Sequence, residues 1–144
     1  MPISEVAGAS KEAVNHPSHY AAHYRREVIA LTSHFDFTTG NALKYVRRCR
    51  FKGRPTEDLQ KAHWYLNYFS DHPESGFLKS EGLEPVLADF LTDLANQKDQ
   101  LFGEEAGRFV RNLVAAVQLA PEFRAPELEA AKTALETLIK ASEA

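Results

Sequence analysis

Three short stretches collect residue types able to grip an anion and a planar ring. "VNHPSHY" at 14–20 holds two histidines, a proline and a tyrosine. "GNALKYVRRCRFKGR" at 40–54 is strongly basic, and "DLQKAHWYL" at 58–66 adds a carboxylate, a lysine and a His-Trp-Tyr run. Between Phe37 and Thr56 there is no acidic residue, whereas Lys44, Arg47, Arg48, Arg50, Lys52 and Arg54 all fall there. Phosphate is the natural partner of such a group, because arginine offers a planar fork to its oxygens and lysine a compact charge. Tyr45, Trp64 and Tyr65 add surfaces on which a base can stack. Two plainer readings compete: a basic run can be a solvated helix face, and Tyr65 and Tyr68 can be core. Trp64 lies off the Leu59–Leu66 stripe and is the better stacking candidate.

Other chemistries fit less well. His16, His19 and His23 are spaced by three and four, but Pro17 pushes His16 towards extended backbone, so the trio does not share one helix. A zinc site normally takes four N, S or O ligands, and no cysteine pair exists to supply them. The histidines therefore fix a turn or touch a ligand. The seven glycines never form GxxxxGK[ST], and no GxSxG elbow occurs. Cys49 falls on the apolar face of its helix, which argues against a nucleophile. If the chain handles phosphates, it does so with side chains instead of a glycine loop.

The elements that must position these groups are helical. At 144 residues the chain suits one domain with a genuine core. Apolar spacing of three and four predicts helices over about 24–34, 40–51 and 56–69, then 83–94, 106–119 and 127–139, and no run alternates as a strand does. Thr38 or Thr39 is the expected cap of the second helix and Thr56 of the third. The fold class is all-α with about six helices. Residues 1–13 read as a flexible leader, 14–71 as a motif-bearing helical region, 72–82 as a linker, and 83–144 as a scaffold or oligomerisation region. Charge divides the same way: residues 1–80 carry 11 Lys/Arg against 8 Asp/Glu, and residues 81–144 carry 6 against 12. The C-terminal stripes predict self-association into a homodimer or larger closed assembly. No apolar run approaches the roughly eighteen residues that span a bilayer, and no secretory signal opens the chain, so no membrane partner is expected. A lone cysteine agrees with a reducing cytoplasm.

The three motifs in this order resemble a small phage family long known as a domain of unknown function, whose relatives include the P-loop-free nucleotide kinase of bacteriophage T-seven. The likeness covers about residues 14–69. It rests on His16, Pro17, His19 and Tyr20, then Gly40, Asn41, Lys44, Tyr45 and Arg48, then Asp58, Leu59, Lys61, Ala62, Tyr65 and Leu66. It implies a (deoxy)nucleoside monophosphate kinase in the cytoplasm of an infected bacterial host. The phosphate donor would be ATP or another NTP or dNTP, the acceptor a dNMP such as dTMP or dGMP. In that reading Lys44, Arg47 and Arg48 hold phosphates, with Lys61 beside them. Arg50, Lys52 or Arg54 closes over the transferring group, and Tyr20 and Asn41 orient base or sugar. Trp64 or Tyr45 stacks, His16 or His19 is a general base, and Asp58 either holds Mg²⁺ or caps its helix. Two alternatives stand beside it. One is a non-catalytic protein that sequesters a nucleotide. The other is a nucleic-acid binder, which the acidic C-terminal half disfavours.

Overall fold

The computed structural model describes residues 26–50 and 53–144. The leader, His16, Pro17, His19, Tyr20, His23 and Lys52 lie outside them. Among the described residues there are six α-helices and no strand: α1 Val28–Thr32, α2 Phe37–Arg48, α3 Pro55–Asp71, α4 Leu83–Ala95, α5 Gln100–Gln118 and α6 Ala125–Glu143. Short 3₁₀ turns at Pro73–Ser75 and Pro121–Phe123 follow α3 and α5. The all-α reading holds.

The helix starts differ from those predicted, for local reasons. Helix α2 begins three residues before 40, because Asp36 and not a threonine caps it, accepting from the Thr39 amide at 3.1 Å. The other Asp36 oxygen takes the Phe77 amide at 2.9 Å. Backbone bonds from Asp36 to Phe77 and from Lys79 to His34 then lay residues 77–79 against 34–36. Gly40 therefore sits inside a helix. A Cβ there would lie 3.3 Å from the Thr32 carbonyl oxygen, so glycine lets α1 approach α2 closely. Helix α3 takes Pro55 as its first residue, with Arg54 at the cap position. Thr56, inside the helix, bonds Ser142 of α6 at 2.6 Å instead. Helix α5 starts six residues before 106, capped by Asp99. Gly103 hides that start because glycine weakens helix propensity, yet a Cβ there would lie 2.4 Å from the Leu94 carbonyl oxygen.

One core joins both sides of residues 72–82. Leu31, Phe35, Leu43 and Val46 from the first helices, Leu59, Leu66 and Phe69 from α3, and Phe109, Leu113 and Leu135 from α5 and α6 are all buried in it. Helix α2 packs along α3, α3 along α6, and α6 along α5. The apolar stripes of α4, α5 and α6 are thus largely covered within the chain itself.

Arg124 is the polar fastener of this arrangement. Its buried guanidinium donates from Nε to the Leu119 carbonyl at 2.8 Å, from Nη2 to Val117 at 3.1 Å, and from Nη1 to Gly76 at 2.9 Å and to Pro73. It also lies 5.6 Å from the centre of the Phe69 ring. One side chain so ties the end of α5 to the turn after α3.

Candidate functional site

The second and third motifs meet on the α2–α3 hairpin. Tyr45 of α2 and Tyr65 of α3 lie nearly parallel, 11° apart with centres separated by 6.1 Å. Both are half-buried. Three cations ring Tyr45: Lys44 Nζ at 4.6 Å from its centre, Arg48 Cζ at 5.2 Å and Lys61 Nζ at 5.4 Å. The negative face of an aromatic ring holds such charges in place without neutralising them. Trp64, 62% exposed, meets Tyr65 edge-on at 5.1 Å and continues as a roughly parallel row through Tyr68 to His72. Phe37 also meets Tyr65 edge-on, at 6.1 Å.

The basic cluster divides when folded. Lys44 and Arg48 share a face of α2 and both lie against the Tyr45 ring. Arg47 turns inward: it is buried, lies 4.6 Å from the centre of the Phe90 ring and donates to the Arg26 carbonyl. The three cations of α2 thus do not form one face. Arg50 points to the start of α5, where it pairs with Asp99 at 3.0 Å and covers Phe102. Arg54 stays exposed beside Glu57 at 3.5 Å. Asn41 uses its amide nitrogen on the Phe37 carbonyl at 2.8 Å, which leaves its oxygen to accept. His63 faces α6, contacting Glu136 at 3.3 Å, and takes no part in the cluster.

Asp58 departs from the capping reading. It is buried and does not cap α3; its carboxylate lies 3.4 Å from Arg48 Nε. Among the described residues no group of three or more His, Cys, Asp or Glu is placed to hold a metal ion. Lys61 has Glu57 at 3.9 Å, while Lys44 has no acidic partner among the described residues. Cys49, next to this hairpin, has its thiol pushed up to about 12, mainly by burial and secondarily by the Asp58 charge. It stays protonated near neutrality, in agreement with the exclusion of a thiolate nucleophile.

Sequence reasoning undervalued Tyr65 and missed Phe37. Phe37 was legible in principle: with α2 and α3 antiparallel across a short turn, Phe37 at the start of α2 and Tyr65 well along α3 lie about equally far from that turn and so come opposite each other. Asp58 had the same signal, being in the first turn of α3 where the last turn of α2 must lie.

Residues 14–67 match the family described as protein of unknown function DUF3310. The matched span takes in all three motifs and ends within α3. No curated protein and no solved structure matches the chain.

Proposed function

We propose that the chain binds the phosphate of a nucleotide at Lys44, Arg48 and Lys61, and that a (deoxy)nucleoside monophosphate held there accepts a phosphoryl group from ATP or another NTP or dNTP. The observation that carries this reading is the triad of cations held over Tyr45, one of them without an acidic partner among the described residues. Phosphoryl transfer is mainly positioning plus neutralisation of charge spread over the phosphate oxygens. Lys44 and Lys61 supply point charges. Asp58 steadies Arg48 through Nε, so the two terminal nitrogens of the guanidinium face the ligand. An oxygen of the acceptor monophosphate attacks the terminal phosphorus of the donor, the donor's bridging bond breaks, and the donor leaves as a diphosphate. The attacking oxygen is already anionic, so this step needs no general base. On this reading the protein works in the cytoplasm of a phage-infected host.

The engagement of Asp58 by Arg48 favours a second reading, in which the nucleotide is held without turnover. Incubation with each dNMP plus ATP or a dNTP, with and without Mg²⁺, followed by separation of products, distinguishes the two. New diphosphate establishes the kinase. Binding by calorimetry with the ligand recovered unchanged establishes sequestration, and absence of binding by any mono- or triphosphate removes both.

A further inference from the structure

We propose that the groove between α1, the first turns of α2 and Lys79 holds the base and sugar of the nucleotide, a proposal that rests on the phosphate site at Lys44 argued above. The groove is a cavity of about 290 Å³ lined by Ile29, Phe37, Gly40, Asn41, Lys44 and Lys79, among others. That volume is at the small end of ligand pockets, which run from roughly 300 Å³ upward, and suits one nucleoside better than a dinucleotide. Lys44 belongs to both places: it lines the groove and lies over Tyr45. A ligand whose anion sits among Lys44, Arg48 and Lys61 therefore has this groove next to it.

The lining has the chemistry of a nucleoside subsite. Phe37 is 74% exposed and Ile29 63%, an apolar mouth that costs free energy unless something flat covers it. The Phe37 ring meets Tyr65 edge-on, at an interplanar angle of 75°. Asn41 has its nitrogen committed to the Phe37 carbonyl, so its oxygen is the group left to accept a bond from a base or a sugar hydroxyl. Asp36 also lines the groove, but both its oxygens already accept backbone amides, from Thr39 and Phe77. Lys44 and Lys79 have no acidic partner among the described residues, so the groove is electropositive where it meets the phosphate site. The exposed Trp64–Tyr68 row, which does not line the groove, is the competing platform for a base, and the experiment separates them.

The full-length chain is titrated calorimetrically with dTMP, dGMP and inorganic pyrophosphate, as wild type and as Phe37→Ala, Asn41→Ala and Trp64→Ala, with thermal midpoints recorded for each. Loss of a stacking or hydrogen-bonding contact predicts that Phe37→Ala and Asn41→Ala each weaken at least one dNMP about fivefold or more. Pyrophosphate affinity should stay within about twofold in the same variants, because Phe37 and Asn41 are not among the cations proposed to hold the anion. Trp64→Ala should leave all three ligands unchanged. If Phe37→Ala lowers the thermal midpoint, Asn41→Ala alone decides, since Asn41 lies on the helix surface. The groove is overturned, with the phosphate site intact, if wild type binds a dNMP and the groove variants match it, or if Trp64→Ala takes the loss. It is overturned as well if pyrophosphate binds wild type as tightly as the dNMPs. Wild type that binds neither nucleotide nor pyrophosphate removes the phosphate site and the groove together.

Discussion

Replacing Arg124 with alanine should unfasten the molecule far from the candidate site. The guanidinium holds four carbonyls, two at the end of α5 and two in the turn after α3. Hydrogen bonds from a charged donor contribute about 1.5–3 kcal/mol each, but four bonds from one group are not additive. Water entering the vacated space will also satisfy part of the exposed carbonyls. The expected net loss is about 3–5 kcal/mol, for several buried carbonyls left only partly satisfied. At this chain length that lowers the thermal midpoint by about 10 °C. Lysine at the same position keeps the charge and reaches one or two of the carbonyls, so it should recover about half. Thermal and urea unfolding followed by far-UV circular dichroism measure both variants. A midpoint for Arg124→Ala within about 2 °C of wild type would refute the claim that this side chain fastens the two turns.

Lys44→Ala should leave stability unchanged while weakening nucleotide binding about tenfold or more, whereas Arg48→Ala should also cost about 3 kcal/mol, because buried Asp58 loses its cation. Equal midpoints for the two variants count against that pair. Gly76→Ala brings a Cβ to 2.3 Å from Phe69 Cζ in the core and should destabilise by about 1–3 kcal/mol; an unchanged urea midpoint would contradict the packing. The Cys49 thiol is raised from 9.0 to about 12, so the unfolded chain releases its proton first as pH rises. Its contribution is intact below pH 9 and lost between 9 and 12, and Cys49→Ala should flatten that slope in denaturant titrations. Self-association, with the C-terminal stripes largely covered, would draw on apolar side chains left exposed, such as Leu101, Leu119 and Phe123. Light scattering should give a dimer or larger mass that Phe123→Glu reduces, and a monomeric wild type at micromolar concentration refutes it.

The helices were legible because their apolar spacing runs through whole elements, as with Leu59, Ala62, Leu66 and Phe69 of α3. Their starts were less so. Asp36 looks like part of a loop until one sees that, besides capping α2 at Thr39, it accepts from Phe77, 41 residues away, a contact that no local pattern carries. Gly40 and Gly103 lie at or before the predicted helix starts, yet each sits inside a helix at a close approach to its neighbour. The cation cluster was half legible. Charge and spacing put Lys44 and Arg48 together, but whether a cation faces water or core depends on what packs beside α2. For Arg47 that is Phe90, from the other side of the chain. Arg124 was invisible for the same reason: its four acceptors come from two separated segments.

Covering α3 has a consequence for how the family segment can be handled. Leu59, Leu66 and Phe69 are sealed in the shared core, and α6 lies along α3 with Thr56 bonded to Ser142. A fragment ending soon after residue 67 would turn much of that surface to water, at a cost of roughly 1.5–3 kcal/mol for each large side chain uncovered. The matched segment is therefore not a detachable cassette in this protein. Moving it alone onto another scaffold should yield an aggregating peptide unless the recipient supplies a substitute for α6. The last nineteen-residue helix, though outside the match, is a permanent prosthesis for the part inside it.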